Sequence, residues 1–173
     1  MSLPPNLGAL WSGTCSLHHV CEAHAIGQPT LAGQAPPQEW ADWLATFHVI
    51  HLVIDKTLPS HYTRAPLLLE DFTRLPSPHM PLAACAFAAD LRAPSAILGA
   101  RHVLHAAHRR GGWAKAQIMR GAGLSPRHIG YEREGEVETF IRTLRDRAGL
   151  ISPARASFAA MLATMGEIQA RHG

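Results

Sequence analysis

Apolar side chains recur at steps of three and four residues along positions 40–54. The residues of this stripe are Trp40, Trp43, Leu44, Phe47, Ile50, Val53 and Ile54. Because an α-helix has about 3.6 residues per turn, this period places the whole stripe on one helix face. No segment of the sequence shows the alternation of apolar and polar residues that is typical of a half-buried strand. We therefore predict an all-α fold.

The apolar composition also favours helices. Alanine and leucine together number 48 of the 173 residues, whereas valine and isoleucine together number 14. Alanine and leucine lose little side-chain freedom in a helix, and β-branched residues lose more. The length suits one domain, and a hydrophobic fraction of 47% with 17% charged residues excludes a disordered chain. We expect a single domain over residues 1–173, in which residues 1–12 form a loosely ordered N-terminal segment.

Proline and glycine residues divide the sequence into about seven predicted helices. These helices span residues 12–26, 38–58, 66–75, 82–91, 94–110 (continued by 113–120 after a glycine pair), 134–147 and 152–172. Pro94 suits the first position of its helix, where the missing N–H group would have no partner anyway. Ser152 followed by Pro153 predicts the N-cap and the first turn of the last helix.

Several classes of protein are disfavoured by the sequence. The longest apolar runs, near residues 49–54 and 81–89, are far shorter than the roughly 18 residues that span a bilayer. Residues 1–13 lack the positively charged start of a secretory signal, and three cysteines without zinc-knuckle spacing favour reduced thiols. Basic residues are scattered and only two tyrosines are present, which disfavours nucleic-acid binding. We expect a cytoplasmic protein that binds neither membranes nor nucleic acid.

His18 and Glu22 lie four residues apart in the first predicted helix, so they share one helix face. His19 and His24 lie nearby, and the chain has 12 histidines against 13 acidic residues. A histidine that faces into a helical protein offers an imidazole nitrogen to a metal ion or a haem iron. A polar, partly exposed helix face would show the same spacing, so spacing alone leaves both interpretations open.

Two further sets of histidines recur at helical spacing. They are His48 and His51 with Asp55 in the second predicted helix, and His102, His105 and His108 in the helix that begins at Pro94. Imidazole suits iron, zinc and copper, so either set could line a metal site. Neither set has Glu-x-x-His or His-Glu-x-x-His spacing, and few carboxylates lie in the apolar stretches. Histidines that replace aromatic residues at half-buried positions are therefore favoured over a dedicated di-iron or zinc centre.

Gly111-Gly112 interrupts a helical pattern, and a charged helix with several arginines follows it. Adjacent glycines cost a helix about 1 kcal/mol each relative to alanine, but they allow a kink and the close approach of a flat ligand. A simple loop between two helices explains them equally well. Arg142 and Arg145 lie near the C-terminal end of their helix and complement its dipole. Arginine also forms bidentate pairs with carboxylates such as the propionates of a tetrapyrrole.

Taken in chain order, these features resemble the haem oxygenase family, in particular the small bacterial biliverdin-producing enzymes found beside bacteriophytochromes. The resemblance covers most of the chain from residue 14 to about residue 168. The similar segments are residues 17–33, 40–58 (with Asp55 in place of a usual glutamate), 64–72, 98–104, the pair Gly111-Gly112, 140–144 and 156–158.

The resemblance implies a helical sandwich that holds haem between the first helix and the distal helix, which begins at Pro94. The reaction it implies is O₂-dependent cleavage of haem to biliverdin, CO and iron, with electrons from a separate reductase or ferredoxin. It implies His18 as the proximal ligand of the iron, Glu22 four residues later, and Gly111-Gly112 as the flexible distal wall. The remaining predicted site residues are Arg142 and Arg145 as propionate partners, and His48 and His51 as residues that line or support the pocket. The sequence leaves the oligomeric state open, with a homodimer as the assembly considered.

The sequence departs from the family pattern just before the glycine pair. The family carries Leu-Glu-Gly-Ser-Thr-Leu-Gly-Gly or a Gly-Asp variant, whereas positions 104–112 read Leu-His-Ala-Ala-His-Arg-Arg-Gly-Gly, one residue longer. His108, four residues before Gly112, is a candidate distal ligand of the iron. A haem with two histidine ligands would exclude O₂, so a non-catalytic haem- or tetrapyrrole-binding protein, a store or a sensor, is the alternative function. A di-iron oxidase on the same fold is a less favoured third function.

Overall fold

The computed structural model describes residues 8–110 and 112–173, apart from the side chains of Arg110 and Trp113. These residues form nine α-helices and two 3₁₀ turns and include no strand. The helices are α1 (Gly8–Ala23), α2 (Gly27–Leu31), α3 (Pro37–Ile54), α4 (Ala65–Phe72), α5 (Leu82–Asp90), α6 (Pro94–Arg110), α7 (Gly112–Gly121), α8 (Glu134–Arg145) and α9 (Ile151–His172). The 3₁₀ turns are Ser60–Tyr62 and Ala148–Leu150. The prediction of an all-α fold is confirmed.

Most predicted helices agree with the observed ones to within a few residues. Helix α6 begins at Pro94, as predicted, because proline lacks only an N–H group that the first turn leaves unbonded. Helix α6 ends at Arg110 and α7 begins at Gly112, and Gly111 between them lies outside the described residues, so the predicted interruption stays a prediction. The described residues contain more helices than the seven or so predicted, because α2 was not predicted and the segment after Gly111 is counted as a helix of its own, α7.

The beginning of the chain differs from the prediction. Helix α1 begins at Gly8, so residues 8–12 are helical rather than loosely ordered, and residues 1–7 lie outside the described residues. Leu10 explains the early start, because its side chain is fully buried against Leu144, Leu150 and Ala154. The first predicted helix ends at residue 26, before Gly27 and Pro29, so α2 was not predicted to be helical. Pro29 is compatible with α2 because it lies in the first turn, where no backbone N–H is needed.

The start of the last helix also differs. Ser152 does not cap α9, because the helix begins at Ile151 and its N-cap position is Leu150. The preceding 3₁₀ turn, Ala148–Leu150, leads directly into α9, so the backbone is already helical at Ser152. Leu150 is buried in the same apolar cluster as Leu10, which holds the turn against α1.

Helix α3 forms the centre of the main apolar core. Six of the seven residues in its predicted stripe are buried, and Val53 is partly buried. Each fully buried leucine or isoleucine contributes about 1.5–3 kcal/mol to the free energy of unfolding. Polar side chains of α3 are buried as well, because Asp42, Thr46 and His51 are at 1%, 0% and 0% exposure. Buried polar side chains such as these must form hydrogen bonds with other groups inside the protein.

The packing of the helices leaves space beside α1. Helix α9 packs against α1, α5 and α6, whereas α3 packs against α4, α5 and α6. Helices α2 and α7 pack against each other, and α8 packs against both α1 and α6. Helices α1, α6, α7 and α8 therefore surround a common space over the core. No described helix combines the length and apolar character required to cross a membrane.

Candidate functional site

A cavity of about 430 Å³ lies among α1, α2, α6, α7, α8 and α9, with two aromatic residues of α3 at its base. Most of its lining is apolar, and a few polar groups come from α1, α6, α7 and α8. Cavities that bind cofactors and small ligands have volumes of about 300–1,000 Å³ and the same mixture of apolar walls and few polar groups. The cavity is therefore the candidate binding site.

His18 of α1 lies in the wall of this cavity. Its ring packs edge-on against Trp11 and Phe158, with centroid distances of 5.2 and 5.9 Å. Nδ1 of His18 lies 3.5 Å from Oε2 of Glu22, and both side chains are partly exposed, at 37% and 41%. Among the described residues, no hydrogen bond engages Nε2 of His18. The imidazole is thus held by aromatic rings and a carboxylate, with one nitrogen available to a ligand.

The other histidines of the first segment are placed differently. Among the described residues, neither His19 nor His24 lines the cavity. Nδ1 of His24 accepts a hydrogen bond from the backbone N–H of Ile26. Cys21 lines the cavity beside His18, but burial and the charge of Glu22 raise the pKa of its thiol to about 11. Its thiol therefore stays protonated near neutral pH, and His18 is the better metal ligand of α1.

Helices α6 and α7 form another wall of the cavity, made mostly of small and apolar side chains. Ala106 and Ala107 on α6 and Ala114 on α7 line it, together with Val103 and Leu104. Because alanine side chains end at Cβ, a flat ligand can come close to the backbone of both helices here. His102 also lies on this wall.

Arginines from α8 lie at the cavity as the sequence predicts. Arg142 and Arg145 are both lining residues, and Glu138 of the same helix lines the cavity beside them. The guanidinium of Arg142 lies 3.9 Å from the Glu138 carboxylate, in an exposed pair. Nε of Arg145 is buried and makes no hydrogen bond within the described part of the chain, although the Asp146 carboxylate lies 3.7 Å away. Both arginines can therefore reach an anionic group of a ligand.

Lys115 of α7 is a cavity residue that sequence reasoning did not identify. Its side chain lines the cavity but is only 5% exposed, and Nζ donates to the backbone carbonyl of Ala107 at 3.0 Å. Nζ also lies 3.2 Å from Nδ1 of His108. Burial lowers the pKa of Lys115 to about 7. The sequence does carry a signal for this burial. Lys115 precedes the buried residues Ile118 and Met119 by three and four positions, so it shares their helix face.

His108 does not lie where the distal-ligand hypothesis requires. It is fully buried behind the α6 wall and is not among the described residues that line the cavity. Its Nε2 lies 3.0 Å from Nε2 of His51, and its Nδ1 lies 3.2 Å from Nζ of Lys115. Both ring nitrogens are thus bound inside the protein, and the predicted role of His108 as an iron ligand is not supported by this geometry.

His48 and His51 do not line the cavity either. Nδ1 of His48 lies 2.9 Å from the carbonyl oxygen of Ala65, and its ring packs against Phe72 on the α4 side of α3. His51 is fully buried, and its Nδ1 lies 3.0 Å from Oδ1 of Asp55. His48 is therefore a structural residue of the α3–α4 contact. His51 reaches the cavity only indirectly, through His108.

The strongest cluster of metal-ligand atoms outside the cavity consists of His51, Asp55 and His105. Their ligand atoms lie within 4.8 Å of one another, and all three residues are buried. Only one carboxylate is present, and burial, with the positive charges of Arg64 and Arg101 as smaller causes, lowers the pKa of His105 to about 3. A di-iron site requires several carboxylates, and the neighbouring cations oppose a divalent ion here. This cluster therefore does not favour the di-iron hypothesis.

The glycine pair is only partly described. Gly112 begins α7, and a Cβ atom placed on it would meet no atom within 4 Å. Gly112 is not among the described residues that line the cavity. Its proposed contact with a ligand therefore stays a prediction.

Comparisons with known proteins give a clear result for structure only. By sequence, no family model and no curated protein matches the chain. By structure, the chain is similar to the heme oxygenase-1 of the cyanobacterium Synechocystis sp. PCC6803, solved in complex with heme, with a TM-score of 0.75. The similarity covers 96% of this chain and 93% of the cyanobacterial one at 16% sequence identity. The fold is that of the haem oxygenases.

A second solved structure agrees with this result. The heme oxygenase of Leptospira interrogans is similar with a TM-score of 0.69 and 15% identity, over 93% of this chain and 97% of that one. Both alignments span nearly the whole of each chain, so the haem oxygenase fold accounts for the complete arrangement of helices. The family resemblance that the sequence predicts is thereby confirmed at the level of the fold.

Proposed function

We propose that this protein binds haem in the cavity and cleaves it with O₂ to biliverdin, CO and iron. The observation that carries the proposal is the placement of His18. Its imidazole lies in the wall of the cavity, with Nδ1 near the Glu22 carboxylate and Nε2 without a hydrogen bond among the described residues. An imidazole in this state is suited to bind iron.

The remaining lining fits haem chemically. A porphyrin is a flat apolar ring with two carboxylates at one edge. The alanines of the α6–α7 wall would accept the flat ring, whereas Arg142 and Arg145 would bind the carboxylates. Bound haem would supply the iron that activates O₂ and would itself be the substrate. The donor set of the cavity therefore matches the proposed substrate.

Each residue has a separate role in this proposal. Oε2 of Glu22 lies 3.5 Å from Nδ1 of His18, a buried nitrogen that makes no hydrogen bond within the described residues. In the haem complex the carboxylate would accept a hydrogen bond from Nδ1–H, which fixes the neutral tautomer and leaves the Nε2 lone pair for the iron. Trp11 and Phe158 hold the imidazole ring in place. The apolar walls exclude water from the reacting centre. Electrons would come from a separate reductase or ferredoxin of the cytoplasm.

Binding is tested by adding haemin to the purified protein and recording the absorption spectrum. We expect an imidazole-ligated spectrum for the wild-type protein and its loss in His18→Ala, with recovery when free imidazole is added. His19→Ala is the matched control, because His19 is the exposed neighbour of His18 and does not line the cavity. An unchanged spectrum in His18→Ala would show that another residue binds the iron.

Turnover is tested by adding a reductant and O₂ to the haem complex. Loss of the Soret band with growth of biliverdin absorbance supports the oxygenase. A stable, six-coordinate low-spin spectrum under the same conditions would instead support the alternative, a non-catalytic haem-binding protein. The absence of any Soret shift would exclude haem as the ligand.

A further inference from the structure

An unbroken chain of hydrogen bonds runs from the cavity to a carboxylate in the protein interior. Nζ of Lys115 lies 3.2 Å from Nδ1 of His108, and Nε2 of His108 lies 3.0 Å from Nε2 of His51. Nδ1 of His51 lies 3.0 Å from Oδ1 of Asp55. Of these residues only Lys115 lines the cavity, and all of them are at most 6% exposed.

The contacts of Asp55 determine which atom is the donor in each of these hydrogen bonds. Oδ2 accepts hydrogen bonds from the backbone N–H groups of Arg64 and Ala65, at 2.6 and 3.0 Å. An ionised Asp55 can only accept, so Nδ1 of His51 carries a hydrogen and Nε2 of His51 accepts. His108 must then donate through Nε2 and accept from Lys115 through Nδ1. The geometry therefore requires a definite tautomer of each imidazole and a donor at Nζ of Lys115.

The charges around Lys115 do not provide a direct partner for its ammonium group. Behind it are His108, His51 and His128, which are buried and neutral because burial lowers the pKa of each. The charged and titratable groups that share its cavity are Cys21, Glu22 and His18 on α1, His102 on α6, and Glu138, Arg142 and Arg145 on α8. Among the described residues, no salt bridge joins Lys115 to a carboxylate. The nearest compensating charge along bonded contacts is Asp55, two imidazoles away.

We propose that Lys115 is the acid–base residue of the cavity and that Asp55 controls its protonation through the tautomers of His51 and His108. As an ammonium, Lys115 donates a hydrogen bond to an oxygen or anionic ligand in the cavity. When it transfers that proton, the Nζ–H bond breaks, a bond between hydrogen and the ligand forms, and the electron pair stays on a neutral amine. Solvent that enters the cavity returns the proton.

The ligand in this inference rests on the haem-binding function proposed above, whereas the coupling of Lys115 to Asp55 lies in the protein alone. Asp55, His51 and His108 are positioning residues, since they act through Lys115. The pKa of about 7 for Lys115 agrees with such a role, because a group that exchanges protons near neutral pH is an efficient acid and base.

The first test is NMR of the protein without haem, with ¹³C label at lysine Cε. The chain has only two lysines, and Lys56 is exposed, so each spectrum contains its own control. We expect Lys115 to titrate near pH 7 and Lys56 near its ordinary value of about 10.4. Lys115→Met assigns the signal. Titration of both lysines near pH 10 would overturn the proposal.

The second test reads the tautomers of the imidazoles from ¹⁵N chemical shifts. In the wild-type protein we expect hydrogen on Nδ1 of His51 and on Nε2 of His108. Hydrogen on Nδ1 of His108 would overturn the proposal, because Lys115 would then have no acceptor there. This measurement needs no variant, so it stands even where a substitution prevents folding.

Asp55→Asn tests the coupling itself. The two backbone N–H groups keep the amide oxygen at the Oδ2 position, so the amide NH₂ faces Nδ1 of His51. We expect both imidazoles to exchange tautomers and the acid constant of Lys115 to rise about tenfold or more. Asp42→Asn is the matched control, because Asp42 is a buried carboxylate of α3 that accepts from the backbone N–H of His79 and contacts His172, outside this chain of contacts. Unchanged tautomers in Asp55→Asn would contradict the coupling.

The third test addresses the ligand. In the ferric haemin complex, fluoride affinity reports a hydrogen-bond donor near the iron. We expect Lys115→Met to lower fluoride affinity about tenfold and Lys56→Met to leave it unchanged. Equal affinities would show that Lys115 does not reach the ligand. If haemin does not bind, the proposed function fails, and the two NMR tests still decide whether Lys115 and Asp55 are coupled.

Discussion

Nε2 of His108 lies 3.0 Å from Nε2 of His51, and both rings are completely buried. One of these nitrogens must carry a hydrogen and the other must not, so the accepting imidazole is neutral, and burial lowers the pKa of both rings. A proton added to either ring would replace an acceptor by a donor and place a charge in the interior. The histidines of this core therefore connect protein stability to pH.

We expect stability to fall steeply below pH 6.5. Burial lowers the pKa of His51 and His108, lowers that of His105 to about 3 and lowers that of His128 to about 4. Between pH 6.5 and about pH 4 the unfolded chain binds a proton at His105 and at His128 and the folded chain does not. Each of these two sites then reduces the free energy of unfolding by about 1.4 kcal/mol per pH unit, His51 and His108 act in the same direction, and this contribution to stability is complete above pH 6.5.

Urea denaturation at pH 8, 6.5 and 5 measures this dependence. His105→Gln removes one titrating group, so its slope between pH 6.5 and 5 should be smaller by about 1.4 kcal/mol per pH unit. His19→Gln, at an exposed position of α1, should keep the wild-type slope. A free energy of unfolding that is constant across this range would contradict neutral buried histidines.

Lys115→Met should stabilise the protein near neutral pH. The pKa of Lys115 is lowered to about 7 in the folded protein, whereas in the unfolded chain it is about 10.4. The free energy of unfolding is therefore highest above pH 10.4 and decreases as the pH falls to 7, because only the unfolded chain binds the proton in this range. Methionine has a similar length and no charge to desolvate, and this gain should exceed the loss of the donor to the Ala107 carbonyl and to Nδ1 of His108, which costs about 1–3 kcal/mol for each group. Thermal unfolding at pH 7 and pH 10 is the measurement. The advantage of the variant should be larger at pH 7, and a lower melting temperature at pH 7 would contradict the prediction.

Two glycines should respond in opposite ways to a methyl group. A Cβ atom on Gly99 would lie 2.5 Å from Cβ of Pro153 and 2.9 Å from N of Ala154, so Gly99→Ala forces α6 away from α9. We expect a loss of about 1–3 kcal/mol in chemical denaturation. Gly112→Ala meets no atom within 4 Å and should be neutral or stabilising by up to about 1 kcal/mol. Equal effects of the two variants would show that the α6–α9 contact is not tight at Gly99.

Arg64→Met should destabilise the protein strongly. Arg64 is 2% exposed, and its guanidinium donates to backbone carbonyls at His61, Tyr62, His128 and Gly130. Methionine would fill the space but leave these carbonyls without a donor, which costs about 1–3 kcal/mol for each buried group. Arg171→Met, at an exposed position near the end of α9, should change the free energy of unfolding by less than about 0.5 kcal/mol. Similar results for both variants would refute the role of Arg64.

The sequence predicts the helices well because their signals are local. The stripe on α3 and the proline at the start of α6 depend on neighbours along the chain, and both agree with the structure. The pair His18 and Glu22 is local too, and it lies at the cavity. Helix α2 escaped the prediction because Pro29 was interpreted as a terminator, although a proline in the first turn is compatible with a helix.

The misplaced site residues show what local patterns do not contain. The three-residue spacing of His102, His105 and His108 predicts that they lie in a helix. Which of them faces the cavity depends on how α3, α7 and α8 pack around α6. His102 lines it, whereas His108 turns to His51 and Lys115. Lys115 was overlooked for the same reason, since a lysine is usually exposed and its burial depends on distant parts of the chain.

The bond from Lys115 to the carbonyl of Ala107 has a mechanical consequence. Ala107 lies in the last turn of α6 and Lys115 in the first turn of α7, so this contact ties the end of one helix to the start of the next. An ammonium group can donate three hydrogen bonds, whereas a neutral amine can donate two. A single change of protonation would therefore alter the stiffness of the joint between the helices as well as the charge of the wall they form.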